Sequence, residues 1–249
     1  MRAEPCLLID NSNTRTKFML CGGGAEPELR VLPTAEISAE SLHALLSDWA
    51  FRRVALCSVV PWAAEKISSF MKGVELIHVC PENVNEVDFS GYPGCSTLGA
   101  DRVANVLAAV RYAPLPLVAV DMGTATTLDV VVQGSGGPKF VGGIIAPGLS
   151  AVAGCLPCCT AQLPPVNLSA CGPVIGRNTE EAMASAVCVG YPGMMDSLLD
   201  AIESELGERV HVIVTGGDAA RLAPAMRHKC TLVPSLTLEG IARVAHISL

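Results

Sequence analysis

The sequence predicts an α/β protein of two lobes related by duplication, on three observations. The stretch LLIDNSNTRTKF at 7–18 and the stretch VAVDMGTATTLDV at 118–130 share one design: an apolar run ending in Asp, a turn of small hydroxyl and amide residues, and a second apolar or β-branched run. Their aspartates, Asp10 and Asp121, lie 111 residues apart in a chain of 249, close to half its length. The order of strand-like and helix-like segments that follows the first stretch also returns after the second, as a duplicated domain requires.

In the first lobe CLLID, TKFML and LRVLP read as three strands, with Gly22, Gly23 and Gly24 punctuating the second turn. SAESLHALLSDWA has helical spacing behind a capping-box-like pair, Ser38 and Ser41. RVALCSVV is the next strand, a helix starts after Pro61 and runs through AAEKISSFM, and VELIHVC is a further strand. Residues 81–99, rich in Gly, Pro and Asn, form a loop. ADRVANVLAAVRYA closes the lobe as a helix with Val103, Val106, Leu107 and Val110 on its apolar side, ending near Pro114. The second lobe restarts with strands LVAVD, TTLDVVV and KFVGGIIAPG, then helices near 149–160 and 178–205, strand RVHVIVTGG and helix DAARLAPAMRH. The pattern is βββαβα in each half, with lobes at 1–113 and 114–249 and a cleft expected between them.

Composition narrows the function classes. Half of the residues are hydrophobic and 16% are charged, yet no run approaches the eighteen or so apolar residues of a membrane span. So much apolar surface suggests a subunit interface as well as a core, hence a homodimer. Seventeen basic against 24 acidic residues give a net charge of −7, and the basic ones are scattered, which argues against nucleic acid as a partner. MRAEPCLLID is too poor in apolar residues for a secretory leader, so a cytoplasmic location is expected. The eleven cysteines include Cys57 and Cys188 in apolar runs and read mostly as reduced, buried small hydrophobes. Cys155, Cys158, Cys159 and Cys171 crowd together, but the CxxC spacing has no second pair and no nearby His, which disfavours zinc or a cluster.

An Asp-opened turn between two strands offers backbone N–H groups and short hydroxyls to a phosphate, and its carboxylate can hold a metal ion that bridges phosphate oxygens. One such turn is often an ordinary hairpin; two at half-chain separation are a stronger signal. Paired turns of this kind, with the later Gly-Gly turn in VIVTGGDA at 212–219, resemble the acetate and sugar kinase, heat-shock ATPase and actin superfamily. Its fold implies two ribonuclease-H-like, actin-like ATPase lobes with mixed five-stranded sheets flanked by helices.

Within that superfamily DNSNTRTK, GADR, VDMGTATTLDV, GGIIAPGL and GRNTEEAMASAVCVG resemble, in this order, type III pantothenate kinases, from residue 7 to about 240. The resemblance implies ATP-dependent phosphorylation of the primary hydroxyl of pantothenate, the opening step of coenzyme A synthesis, with magnesium and a monovalent cation, potassium or ammonium. It implies a first phosphate loop of Asp10, Asn11, Ser12, Asn13, Thr14, Arg15, Thr16 and Lys17, with Thr124 on the second loop. Asp101 in GADR would be the general base, beside Gly99, Ala100 and Arg102. Tyr92 and Thr179 would complete the pantothenate pocket, and Asp121 would hold the monovalent cation. As bare residues, Asp101 and Thr179 could each merely cap a helix, Arg102 could be a surface ion pair and Tyr92 a loop anchor. The family usually has Gly at the position of Ser12; if that turn needs a positive φ, Ser costs about 1 kcal/mol there. Alternatives are another small-molecule kinase of the superfamily, a non-catalytic nucleotide-binding regulator, and a metal or redox protein using the 155–171 cysteines.

Overall fold

The computed structural model describes residues 4–24, 26–167, 172–247 and 249. Its strands form two mixed five-stranded sheets of the same plan. The first contains β1 (Cys6–Asn11), β2 (Arg15–Cys21), β3 (Glu28–Pro33), β4 (Arg53–Ser58) and β5 (Glu75–His78), in the order β3-β2-β1-β4-β5. The second contains β6 (Leu117–Met122), β7 (Ala125–Gly134), β8 (Gly137–Pro147), β9 (His211–Thr215) and β10 (Cys230–Leu232), in the order β8-β7-β6-β9-β10. In each, the first strand pairs antiparallel with the second and parallel with the fourth. β6 takes the place of β1, and Asp121 stands in its strand as Asp10 stands in β1.

The central strands are central because they are apolar on both faces. Every residue of β1 is buried, and β6 is buried but for Asp121. Edge strand β3 alternates between half-buried and exposed residues, as a one-sided strand should. The helices are α1 (Ala39–Leu46), α2 (Pro61–Phe70), α3 (Ala100–Ala109), α4 (Leu149–Cys159), α5 (Thr179–Leu206), α6 (Ala219–Leu222) and α7 (Leu236–Val244). α1 starts on the expected capping box, Ser38 accepting from Ser41 N–H while Ser41 accepts from Ser38 N–H. α5 is 28 residues long, has Asn178 as N-cap, contains Pro192 and ends at Gly207 in the left-handed conformation.

The chain divides into two compact units. Unit 1 is Met1–Arg111, Gln133–Val141 and Ser235–Leu249; unit 2 is Tyr112–Val132 and Gly142–Pro234. The core of unit 1 gathers Leu7, Ile9, Phe18, Leu42, Leu56 and Ile67. In unit 2 Val118, Val120, Leu128, Met195, Leu199 and Val214 do the same. Buried Tyr191 in that core is satisfied by Thr126 at 2.6 Å and the Pro147 carbonyl at 3.0 Å.

Four local expectations need correction. The helix expected over DAARLAPAMRH stops at Leu222 and continues only as a 3₁₀ turn, Ala223–Ala225, because Pro224 cannot extend the ladder. A tenth strand and a seventh helix follow it. α7 packs on α3 within unit 1 so closely that a Cβ on Gly240 would lie 1.9 Å from the Ala104 carbonyl oxygen, and Thr237 donates to Asn105 Oδ1 at 2.8 Å. Cys188 is not a reduced thiol but disulfide-bonded. Cys6, Cys21 and Cys57 are buried and outside any disulfide, as expected, and burial pushes Cys21 and Cys230 up to about 11; but Cys155, Cys158 and Cys159 are exposed. Cys171, the fourth member of that group, lies outside the described residues.

Candidate active site

The first Asp-opened turn is held from within. Asp10, 3% exposed, stands opposite Lys17 across the β1–β2 pair. Lys17 Nζ lies 3.0 Å from its Oδ2, and Ser12 Oγ donates to Oδ1 at 3.1 Å. Asn11 Nδ2 donates to Thr16 Oγ1 at 2.7 Å, Asn11 Oδ1 accepts from Ser58 at 2.6 Å, and Thr16 meets Thr34 at 3.0 Å. Asn11 and Thr16 are buried and direct these groups inward, whereas Asn13, Thr14 and Arg15 are exposed at the tip. The turn therefore divides its residues into an inner set that fixes its shape and an outer set open to a ligand.

Ser12 carries no backbone strain. Among the described residues the only non-glycine with a positive φ is His246. The turn closes through Ser12 N–H to the Arg15 carbonyl at 3.2 Å, so the cost considered for Ser in place of Gly does not arise.

Asp101 lies in the first turn of α3, half-buried, accepting the Arg102 N–H at 2.8 Å. Burial pushes its carboxyl above the ordinary Asp range; the nearby Asp10 charge pushes the same way, and the Arg102 N–H and guanidinium oppose it. A raised carboxyl in this environment is the pattern expected of a proton acceptor. Gly99 matters for space: a Cβ there would stand 2.6 Å from Asp101 Oδ1. Ala100 is half-buried at the first position of the helix.

Arg102 is buried, with its guanidinium carbon 5.8 Å from the ring centre of Phe140. Tyr92 meets the same ring edge-on at 5.1 Å, and Phe89 lies 5.5 Å from it. Tyr92 and Arg102 are thus brought to one aromatic cluster in unit 1. Phe140 and Phe89, which make the cluster, are not apparent from the sequence, because the 133–141 hairpin tip that carries Phe140 meets the 81–99 loop only in the fold. Asp88 N–H donates to the Pro138 carbonyl and Phe140 N–H to the Asp88 carbonyl, at 2.9 and 3.0 Å.

In unit 2 Asp121 is half-buried near the end of β6, opposite Thr127 and beside Thr215. The Gly-Gly turn after β9 closes on it. Gly216 has φ +98°, and a Cβ there would lie 2.5 Å from Asp121 Oδ1 and 2.6 Å from the Met122 backbone. Thr124 is exposed in the second Asp-opened turn. Thr179 is exposed at the first position of α5; Asn178, not Thr179, is the cap, accepting from Glu181 N–H at 2.9 Å.

A family model described as type III pantothenate kinase matches residues 6–201. A type III pantothenate kinase of Akkermansia muciniphila is 39% identical over 246 residues, covering 98% of this chain and 99% of its own. Among solved structures, a Baf family protein from Campylobacter jejuni is similar with a TM-score of 0.64 at 20% identity, covering 96% of this chain and 97% of its own. A glucokinase from an Antarctic psychrotroph is similar with a TM-score of 0.53 at 13% identity, covering 98% and 99%. At these identities the two structures speak for the fold alone. Sequence motifs, duplicated sheets and the family match agree, and the chain belongs to the type III pantothenate kinase family.

Proposed function

We propose that the chain transfers the γ-phosphoryl group of ATP to the primary hydroxyl of pantothenate, giving 4'-phosphopantothenate, the first step of coenzyme A biosynthesis. The observation that carries this reading is Asp101, a half-buried carboxyl raised in pKa at the start of α3, in a chain of this family. On this reading, the lobes are the duplicated halves 1–113 and 114–249.

Asp101 accepts the hydroxyl proton or orients the hydroxyl as the phosphorus–oxygen bond forms; most of the acceleration in phosphoryl transfer comes from positioning and charge neutralisation. Arg102, with Tyr92 on the same aromatic cluster, holds pantothenate through its carboxylate or amide oxygen, and Gly99 and Ala100 keep the approach to Asp101 open. Asn13, Thr14, Arg15 and Lys17 contact the polyphosphate from the first turn, shaped by Asp10, Asn11, Ser12 and Thr16. Thr124 contacts it from the second.

Asp10 and Asp121 supply the oxygen donors that hard cations take. The concave backbone at Gly216, which a Cβ would fill, sits against the Asp121 carboxylate and suits a close ion. Asp10 would hold Mg²⁺ and Asp121 a monovalent cation, K⁺ or NH₄⁺, and each ion would offset negative charge on the polyphosphate.

Thr179 contributes to the pantothenate pocket near a subunit interface of a homodimer. Exposed Val174, Ile175 and Val189, just before and along α5, support an apolar interface there. No described helix is long and apolar enough to cross a membrane, and we place the enzyme in the cytoplasm. A coupled ADP-release assay with ATP, Mg²⁺ and K⁺ tests the function. Release must depend on pantothenate and not on a sugar or acetate; the reverse preference would favour another small-molecule kinase of the superfamily.

A further inference from the structure

We propose that unit 2 carries a site for one divalent transition-metal ion of the zinc class, bound by His228 Nε2 and the carboxylates of Asp200 and Glu203. α5 places Asp196, Asp200 and Glu203 at positions i, i+4 and i+7, one stripe along the helix. His228, from the segment that leads into β10, inserts its ring against that stripe with its side chain 8% exposed.

The ring is oriented by Asp196. Nδ1 lies 2.9 Å from Asp196 Oδ1, and Asp196, 2% exposed, also accepts the Arg227 and His228 backbone N–H groups at 2.9 and 3.1 Å. An ionised carboxylate only accepts, so in the neutral ring Nδ1 carries the proton and Nε2 presents its lone pair. Nε2 is buried and has no hydrogen-bond partner. It faces Asp200 Oδ1 at 3.5 Å and Glu203 Oε2 at 3.8 Å, and the three ligand atoms lie within 4.8 Å of one another.

The two separations at His228 Nε2 come close to those a metal needs, and half-exposed Asp200 can turn toward Glu203 to close the third edge. Tetrahedral bonds of about 2.0 to 2.2 Å set neighbouring ligand atoms about 3.3 to 3.6 Å apart, so a contraction of a few tenths of an ångström closes the His228–Glu203 edge. The carboxylate–histidine–metal relay through Asp196 is the usual support of such a ligand. A surface cavity of about 300 Å³, lined in part by Glu203, Arg209, Arg227 and His228, leaves room for water as the fourth ligand. Arg227 Nη2 meets Asp200 Oδ2 at 2.7 Å, leaving Oδ1 to the site, and Arg209, 86% exposed, meets Glu203 Oε2 at 3.1 Å and can swing aside. An imidazole nitrogen selects zinc, cobalt or nickel over Mg²⁺ and Ca²⁺, so this site would not compete for the kinase cations.

The test uses untagged, chelator-treated protein in which Cys155, Cys158 and Cys159 are serine, so that exposed thiols do not take up metal. Zn²⁺ and Co²⁺ are titrated by calorimetry and, for Co²⁺, by visible absorption. One ion per chain is expected, with a dissociation constant on the order of 10 µM or tighter, tetrahedral cobalt bands and a higher Tm with Zn²⁺. His228→Gln, Asp200→Asn and Glu203→Gln should each weaken binding at least about tenfold. If His228→Gln does not fold, half-exposed Asp200 carries the test. Absence of stoichiometric binding, or equal binding by the Asp200 and Glu203 variants, overturns the proposal. So does an NMR titration showing His228 as a histidinium at neutral pH with no change on adding Zn²⁺.

Discussion

Replacing Asp101 by Asn separates catalysis from a purely structural role in the first turn of α3, whose N-cap is Gly99. Asn keeps the size of the side chain, its amide oxygen can still accept the Arg102 N–H now bonded at 2.8 Å, and the space left by Gly99 serves either residue. The start of α3 should therefore survive. What is lost is the proton acceptor, and a general base contributes about 10² to 10⁴ in rate, or about 3 to 5.5 kcal/mol of barrier. The KM for pantothenate should move by no more than a few-fold, since the charged contact is assigned to Arg102.

Stability should move the other way. Burial, aided by the Asp10 charge, raises the Asp101 pKa. A raised folded-state pKa favours folding below the unfolded Asp value and loses that contribution as pH rises through the folded value. Asn has no such proton to lose, so the Tm of Asp101→Asn relative to wild type should rise as pH increases from about 4, where that contribution is still present. The acid limb of wild-type kcat/KM should likewise fall above about 3.9, the ordinary Asp value. Coupled ADP release and thermal melts across this range are the assays. Turnover within a few-fold of wild type, in a protein that melts normally, would refute the reasoning and leave Asp101 a helix-start residue.

Three further outcomes are expected. Gly216→Ala should lower both Tm and turnover: its φ of +98° costs about 1 kcal/mol in an L residue, and the added Cβ pushes Asp121 aside; unchanged kinetics would remove Asp121 from the reaction. Gly240→Ala should lower unfolding free energy by about 1 to 3 kcal/mol through overpacking at the Ala104 carbonyl, read from urea midpoints, and an unchanged midpoint would show that α7 does not pack closely on α3. Turnover should need K⁺ or NH₄⁺, and full activity in Na⁺ alone at equal ionic strength would contradict the cation role of Asp121.

The strands were legible because their signals are local: an apolar run into Asp, twice, and Pro or Gly where elements stop. β10 was not, being three residues long, and α7 was obscured by Gly240, which lowers helix propensity and is explained only by the close Ala104 backbone. At the site, the Asp10–Lys17 contact follows from strand register, but whether Ser12 is strained depends on dihedrals that a residue name does not specify. The Tyr92–Phe140–Arg102 cluster joins segments distant in the chain, so no spacing announces it. The acidic spacing Asp196, Asp200, Glu203 is by itself an ordinary solvated helix face; only the fold brings His228, 32 residues beyond Asp196, against it.

Identification of the phosphorylated product tests the central claim most directly. After incubation with ATP, Mg²⁺, K⁺ and pantothenate, phosphorus NMR and mass spectrometry should show one new phosphate monoester on the primary hydroxyl of pantothenate, formed in step with ADP and nearly absent with Asp101→Asn. ADP formed without a phosphorylated pantothenate, or phosphorylation at the secondary hydroxyl, would contradict the account.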